Sequence, residues 1–266
     1  MTYSVSPDRR LVALAYSTGD ARLYGYQSPS DPQVLPGTGA PLTTVCFSPD
    51  QQYLVTGDAE GRLRLWDPVV GRVEWEDQSA RLPIHMVAFT PSGRLLSVPR
   101  GNVIEVWNLE HRRRVARLEG HEAPIRTLVH GLEGRLLLSS SDDGTARMWD
   151  MAQQRSLRVL GDHPGPVTAA TFDASLRLLL TTSGPYLSIW RVADAALLAR
   201  CSYLGQREGT RHPRWVSFTP DGAYAASERA PLGVEFTRPG TRVRTSDAER
   251  DALFDPRAVA RRLLGE

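Results

Sequence analysis

Six aromatic residues recur along the chain at nearly equal intervals, and this regularity limits the possible folds more than any other feature. The intervals are 42, 41, 42, 41 and 46 residues. Units of this length are too short to bury both faces of a sheet alone, so they stack on their neighbours in repeat proteins. The six residues are Tyr24, Trp66, Trp107, Trp149, Trp190 and Phe236.

A short turn motif precedes each of these aromatic residues by 18 or 19 positions, as in FSPD at 47–50. Between the motifs, β-prone runs of about five residues alternate with Pro, Gly and Asp, with four runs in each repeat. We therefore predict an all-β fold of six four-stranded blades arranged as a β-propeller. The predicted repeats lie near residues 1–35, 36–78, 79–119, 120–160, 161–202 and 203–245.

The repeats resemble those of the WD-repeat propeller family. The resemblance is carried by Trp66-Asp67, Trp149-Asp150 and Gly120-His121, and more weakly by Trp107-Asn108 and Trp190-Arg191. In that family a His, a Ser or Thr, an Asp and a Trp form a hydrogen-bonded structural tetrad. For the fourth repeat, the resemblance implies the tetrad His121, Ser139 (or Ser141), Asp143 and Trp149, with the other five aromatic residues in the blade cores.

The other repeats depart from the tetrad pattern. The fifth has His163 but Gly184 where the aspartate is expected. The second has Thr38 and Glu60 at the histidine and aspartate positions, and the third has Ala80 and Gly101. We predict that these blades depend on apolar packing instead of the tetrad and differ in stability.

No pattern in the sequence indicates catalysis. AYSTG (15–19) lacks the first glycine of a nucleophile elbow, and a chain without lysine cannot form the usual phosphate-binding loop. The six histidines lack metal-ligand spacing. His130 replaces a core phenylalanine and is predicted to be a buried structural histidine. We predict no enzymatic activity, no cofactor and no metal.

Composition restricts the environment and the class of partner. The net charge of +2 gives little reason for bulk nucleic-acid binding. The start of the chain lacks a secretory signal, and no apolar run approaches the roughly 18 residues of a membrane helix. We predict a cytoplasmic protein with no membrane insertion. The absence of lysine is typical of a high-GC coding sequence and suggests a bacterial source.

An insertion marks the candidate binding region. The segment 203–215, YLGQREGTRHPRW, holds five residues more than the equivalent loops. Its cationic side chains, with one from a nearby turn, predict a site for a protein partner, while a solvated surface insertion and a site for an anionic ligand or nucleic acid remain alternatives. These side chains are Arg207, Arg211, His212, Arg214 and Arg229.

The last segment, 246–266, carries helix signals, with a capping-box pattern at Ser246 and Glu249 and Asp255-Pro256 as a second start. Its apolar residues could dock on the propeller itself or on a partner, and they are Leu253, Phe254, Val259 and Leu263. Six blades closing on themselves are favoured over one part of a larger ring. The sequence as a whole predicts a non-enzymatic scaffold that presents loops to a protein partner.

Overall fold

The protein is described here by a computed structural model. It describes residues 2–206, 213–218, 224–226, 236–238, 241–243, 255–257 and 261. The chain forms two compact units, Met1–Asp162 and His163–Glu266. The all-β prediction is confirmed, because the elements of the described residues are strands and one 3-10 turn, Leu132–Gly134, apart from helical residues at 256, 257 and 261.

The first unit contains four antiparallel sheets, each made of four strands that are consecutive in the chain. Sheet 1 comprises β1 (Thr2–Val5), β2 (Leu11–Ala15), β3 (Ala21–Gly25) and β4 (Ser28–Leu35). Sheet 2 comprises β5 (Leu42–Phe47), β6 (Leu54–Asp58), β7 (Leu63–Asp67) and β8 (Arg72–Asp77). Sheet 3 comprises β9 (Ala88–Phe89), β10 (Leu95–Arg100), β11 (Val103–Asn108) and β12 (Arg113–Leu118). Sheet 4 comprises β13 (Ile125–Gly131), β14 (Leu136–Ser141), β15 (Ala146–Asp150) and β16 (Arg155–Leu160).

The second unit departs from the predicted pattern of separate blades. Sheet 5 begins with β17 (Ala169–Phe172), β18 (Leu178–Ser183), β19 (Tyr186–Arg191) and β20 (Leu197–Gln206), and continues through β21 (Pro213–Phe218) and β22 (Tyr224–Ala226). A two-stranded sheet of β23 (Phe236–Arg238) and β24 (Thr241–Val243) follows. Six separate four-stranded sheets are therefore not confirmed, because the ten-residue β20 pairs along its outer edge with β21.

The sheets of the first unit stack face to face. Each of its three hydrophobic clusters takes residues from two consecutive sheets. In the first cluster, Leu23 and Leu35 of sheet 1 pack with Phe47, Leu54 and Trp66 of sheet 2. Burying one large apolar side chain stabilises a fold by about 1.5–3 kcal/mol, so covering both faces of each inner sheet is the main stabilising contribution.

The turn motif found in the sequence cross-links its own hairpin. Ser48 Oγ donates to Asp50 Oδ1 at 2.6 Å and accepts from the backbone N–H of Tyr53 at 2.9 Å. Ser6 and Asp8 repeat this arrangement in sheet 1. The fourth motif, HGLE, has neither a Ser or Thr nor an Asp, and its turn differs, with left-handed backbone at Leu132, Glu133 and Gly134, whereas the turns of sheets 1 and 2 have one such residue each, Arg9 and Gln51. The side chains of the motif therefore set the regular turn geometry.

Turns of one sheet also bind the outer strand of the sheet before it. In sheet 3, Arg112 donates to the Glu74 carbonyl and carboxylate of sheet 2, each at 2.9 Å. Gln154 of sheet 4 donates to the Val115 carbonyl of sheet 3 at 3.4 Å. These contacts recur at intervals of about one repeat, so neighbouring sheets are joined at their rims as well as through their cores.

His130 lies between sheets 3 and 4. Its Nε2 is 3.1 Å from Ser97 Oγ, and burial lowers the pKa of His130 to about 4. Since an unfolded histidine has a pKa near 6.5, the unfolded chain binds a proton between these values while the folded chain does not. The stability that the folded chain gains by keeping His130 neutral is fully present above about pH 6.5 and is lost as the pH falls towards 4.

We predict that His130 makes the fold acid-sensitive by about 2 kcal/mol between pH 8 and pH 5. The comparison uses Ser97→Ala and Ser97→Ala/His130→Phe, so that no serine hydroxyl is left unpaired in either chain. Urea unfolding at the two pH values should show a smaller loss of stability for the double variant. An equal loss in both would rule out His130 as the cause, since the other histidines are unchanged.

Candidate functional site

The loops of the first unit divide between two ends of the sheets. In a four-stranded antiparallel meander, the turn between strands two and three lies at the same end as the loop that leaves strand four for the next sheet. We call this end in the first unit the loop face. It is formed by residues 16–20, 36–41, 59–62, 78–87, 101–102, 119–124 and 142–145.

Backbone hydrogen bonds across neighbouring sheets fix the loop face. The N–H groups of Leu42, Ile84 and Ile125, each just before or at the first strand of a sheet, donate to a turn carbonyl of the preceding sheet at 3.0–3.2 Å. The Pro41 carbonyl accepts from the N–H of Ala59 at 2.9 Å, and the Pro124 carbonyl accepts from Asp142 at 3.0 Å. The loops 36–41 and 119–124 are therefore bonded by their backbone to turns on both sides, whereas the loop 78–87 is bonded by its backbone to the preceding turn and through the Arg100 side chain to the following sheet.

A chain of four side chains fixes the loop before sheet 4. Trp149 Nε1 donates to Ser139 Oγ at 2.8 Å, and Ser139 Oγ lies 2.7 Å from His121 Nε2. His121 Nδ1 lies 2.7 Å from Asp143 Oδ2. Of the two serines left open by the sequence, Ser139 joins this chain, whereas Ser141 Oγ donates to the Ala123 carbonyl at 2.8 Å.

Burial and charge determine which atoms of these four side chains carry a proton. Burial lowers the pKa of His121, against the opposing effect of Asp143, so the imidazole is neutral at pH 7. Burial alone would raise the pKa of Asp143, but hydrogen bonds from Thr145, His121 and two backbone N–H groups lower it to about 2. A carboxylate can only accept, so Nδ1 of His121 carries the proton and Nε2 accepts from the Ser139 hydroxyl. Every polar group in the chain is then satisfied.

The connection Ser139–His121–Asp143 is that of a hydrolytic triad, but it cannot act as one. Ser139 is fully buried, and its oxygen already accepts from Trp149 while it donates to His121. A nucleophile must reach a substrate carbonyl and have a free lone pair to attack it. This arrangement therefore supports the loop and does not bind a substrate.

Sheets 2 and 5 keep part of the same arrangement. Trp66 Nε1 donates to Thr56 Oγ1 at 2.9 Å, and Trp190 Nε1 donates to Thr181 Oγ1 at 2.9 Å. In sheet 5 the hydroxyl of Thr181 also lies 2.8 Å from His163 Nε2. The step from indole to hydroxyl is thus present even where the aspartate is replaced by glycine.

Sheet 3 lacks this step. Trp107 Nε1 is buried and has no hydrogen-bond partner within the described part of the chain. Trp66 and Trp149 pair across the sheet with Leu54 and Leu137, and the hydroxyl residue follows that leucine by two positions. Trp107 pairs with Leu96, and two positions on is Val98, which has no hydroxyl.

A buried arginine replaces the tetrad in sheet 3, so the prediction that this blade depends only on apolar packing is wrong. The side chain of Arg100 is 3% exposed and donates to Asp77 Oδ2 at 2.9 Å and to the carbonyls of Gly61 and Ala80. Its Nε lies 3.6 Å from Glu105 Oε2. The side chain of Arg100 is long enough to connect the turn of its own sheet with the loop before that sheet. In sheet 4, His121 and Asp143 make this connection together.

The loop face is acidic. Its segments carry six carboxylates and two arginines, whereas the turns at the opposite end of the same sheets carry similar numbers of both. Asp142 is paired with Arg126, and Asp143 is held by the tetrad. Glu60 and Glu122 are exposed. The two arginines are Arg62 and Arg81, and the six acids are Asp20, Glu60, Glu119, Glu122, Asp142 and Asp143.

The remaining predicted residues divide between buried, half-buried and undescribed positions. Trp66, Trp107, Trp149 and Trp190 are buried, and Tyr24 is half-buried, with its hydroxyl 3.1 Å from that of Tyr16. Phe236 lies in β23, but its side chain is not among those described. The insertion and tail side chains also lie outside the described residues: Arg207, Arg211, His212, Arg214, Arg229, Leu253, Phe254, Val259 and Leu263.

The predicted helical tail is not confirmed. Of residues 246–266 the structure describes only 255–257 and 261, and although Pro256, Arg257 and Arg261 are helical there, they do not define a helix. Among the described residues, no group of three or more His, Cys, Asp or Glu side chains is arranged to hold a metal ion. The same residues include no helix with the length and apolar character needed to cross a membrane.

Comparison with known proteins identifies WD40 repeats in the chain. Residues 30–67 and 112–150 match the WD40 family, described as WD domain, G-beta repeat. Over 107 residues the chain is 34% identical to Transducin beta-like protein 3 of Bos taurus, covering 39% of this chain and 13% of that protein. It is 24% identical over 144 residues to Target of rapamycin complex subunit wat1 of Schizosaccharomyces pombe, covering 53% of this chain and 45% of that protein.

A solved structure shares the fold. A chain in the crystal structure of the mitotic checkpoint complex aligns with 84% of this chain and 72% of its own length, with a TM-score of 0.68 and 17% identity. The predicted WD-repeat resemblance is thereby confirmed at the level of repeat and fold. The chain spans less than half the length of these two curated relatives. A bacterial source stays a prediction.

We predict that Val98→Thr stabilises the protein by about 1 kcal/mol, because the new hydroxyl accepts the unpaired N–H of Trp107 at little change in shape. The matched control is Val106→Thr, which buries the same hydroxyl on the other face of sheet 3, away from Trp107. That control should lose about 1–3 kcal/mol. Equal losses for both variants in urea unfolding would contradict the assigned role of position 98.

We also predict that Arg100→Met costs about 3–5 kcal/mol, because it removes the buried cation shared by half-buried Asp77 and buried Glu105, which is left with Arg114 alone. Adding Glu105→Gln should recover part of the loss by removing one of the two charges. Arg72→Met, which breaks an exposed ion pair with Glu74, is the control and should leave the unfolding midpoint nearly unchanged. A loss for Arg100→Met no larger than for the control would show that the buried cluster contributes little.

Proposed function

We propose that this chain is a non-enzymatic WD-repeat scaffold that binds a protein partner through the loop face. The observation that carries the proposal is the bonding of its loops to the sheets on both sides, by backbone hydrogen bonds for 36–41 and 119–124 and with the Arg100 side chain as the second link for 78–87. Loops that are already ordered lose little conformational entropy on binding, so more of the contact energy appears as affinity.

The charges of the loop face support a partner with a basic segment. Its exposed carboxylates would steer and orient such a partner, and they would exclude an anionic one at the same position. Nucleic acid is thus disfavoured at this surface. The arginines at 207, 211 and 214 are proposed as a second, basic sector for an acidic part of the partner, as the sequence predicts.

The rest of the proposal rests on the sequence. Six aromatic markers support six blades, and the tail 246–266 is proposed to dock on the propeller or on the partner. A place as one domain or subunit of a larger assembly is the second candidate. It is favoured by the short coverage of the curated relatives and by the printed description of one of them as a subunit of a complex. We propose a cytoplasmic location for either form.

We predict that Glu60→Arg/Glu122→Arg abolishes capture of the partner from a nuclease-treated lysate of the source organism. Both residues are exposed, so the fold should be retained. The matched control is Glu110→Arg/Glu133→Arg, which makes the same charge change in exposed turns at the opposite end of the sheets and should leave capture intact.

A third variant, Arg207→Glu/Arg211→Glu/Arg214→Glu, tests the proposed basic sector separately. Capture that survives the loop-face change but is lost with this variant would move the site to the insertion. Capture that survives all three variants would refute both positions. The unchanged chain is also tested in an untreated lysate, and capture that is seen there but not in the nuclease-treated lysate would assign nucleic acid as the bridging partner.

A further inference from the structure

The sequences of sheets 2 and 4 align with a constant offset of 83 residues, which is the separation of Trp66 and Trp149. The offset relates the two tryptophan hydrogen bonds, Trp66 to Thr56 and Trp149 to Ser139. It also relates the backbone bonds from Ala59 to Pro41 and from Asp142 to Pro124. The loops GTGAPL (37–42) and GHEAPI (120–125) align without a gap. Thr38 therefore holds the place of His121.

A threonine fills less space than a histidine, and a small cavity lies at this place. The volume of this cavity is about 10 Å³. Its polar lining is Thr38, Thr56, Asp58, Arg62 and Arg64, and Trp66 forms part of its apolar wall. A cavity needs a volume of about 10–15 Å³ to hold one water molecule.

The polar groups around the cavity include an unsatisfied donor. Arg62 Nε is buried and makes no hydrogen bond within the described residues. It lies 4.0 Å from Asp58 Oδ2, which is too far for a direct hydrogen bond but suits a bridge through one water. Thr56 Oγ1 accepts from Trp66 and retains a proton to donate.

Sheet 4 shows which atoms must be joined. There the imidazole of His121 lies between Ser139 Oγ at 2.7 Å and Thr145 Oγ1 at 3.3 Å. The offset maps these two residues onto Thr56 and Arg62. In sheet 2 both of these residues line the cavity, where Thr56 supplies a hydroxyl and Arg62 an unpaired N–H.

We propose that the cavity beside Thr38 is a binding site for a single ordered water molecule. The water accepts from Arg62 Nε–H and from the Thr56 hydroxyl, and it donates to Asp58. It thereby completes in sheet 2 the polar chain that His121 completes in sheet 4. This inference concerns the seam between sheets 1 and 2 and does not depend on the proposed function.

The test is a high-resolution crystal structure of the full chain and of its Thr38→His variant. The parent chain should show one water peak within hydrogen-bond distance of Thr56 Oγ1 and Arg62 Nε. In Thr38→His the imidazole should replace that peak and bond Thr56 Oγ1. The midpoint of thermal unfolding of Thr38→His should rise by about 2–4 °C, since a covalently held group replaces a water that must be immobilised.

The matched control is Ala80→His, at the corresponding loop position of sheet 3. Val98 offers no hydroxyl there and Arg100 already occupies the space, so this variant should lower the midpoint. Arg62→Met provides a second test, because removing the unpaired N–H should remove the water peak. The proposal is overturned if the parent chain shows no peak where neighbouring ordered waters are visible, if the peak persists in Arg62→Met, or if Thr38→His lowers the midpoint as Ala80→His does.

Discussion

The structure of the first unit depends on the need to cover both faces of every four-stranded sheet. A sheet of about twenty residues cannot form a core by itself, so its apolar side chains become buried only when another sheet lies against them. The three hydrophobic clusters each join two consecutive sheets, and Trp66, Trp107 and Trp149 each belong to one of them. The polar contacts at the sheet ends have a defined geometry only because this stacking sets the distance between turns and loops.

Stacking also brings polar groups into a dry interface, where each must find a partner. At each interface between consecutive sheets, polar groups must join a loop to the turn of the following sheet. The chemical solutions differ: a neutral histidine with a carboxylate in sheet 4, and a buried arginine among two carboxylates and two carbonyls in sheet 3. Polar contacts can therefore be exchanged between repeats, whereas the apolar stacking recurs in every one.

The sequence predicts what repeats and misses what differs between repeats. Periodicity was sufficient to predict the four-stranded sheets of the first unit and the residues around Trp149. It could not show that Trp107 pairs with a residue 11 positions earlier, whereas Trp66 and Trp149 pair with residues 12 positions earlier, so counting ten positions back from Trp107 reaches Ser97 and not Val98. Ser97 faces His130 instead. The role of Arg100 was missed because the tetrad pattern has no cation at its position and Gly101 stands where the aspartate is expected. The pairing of β20 with β21 was missed because β-propensity does not specify a strand's partner.

The same division between fixed and variable positions bears on binding. A change at His121 removes the link between Ser139 and Asp143, but its neighbour Glu122 is exposed and contributes only its backbone N–H, to Asp143. A substitution at Glu122 thus alters the charge presented to a partner while the loop keeps its position. Because buried side chains hold the backbone and adjacent exposed ones meet the solvent, the loop face can change its specificity without a cost in stability. This separation is the physical reason why a rigid stack of sheets suits a binding function.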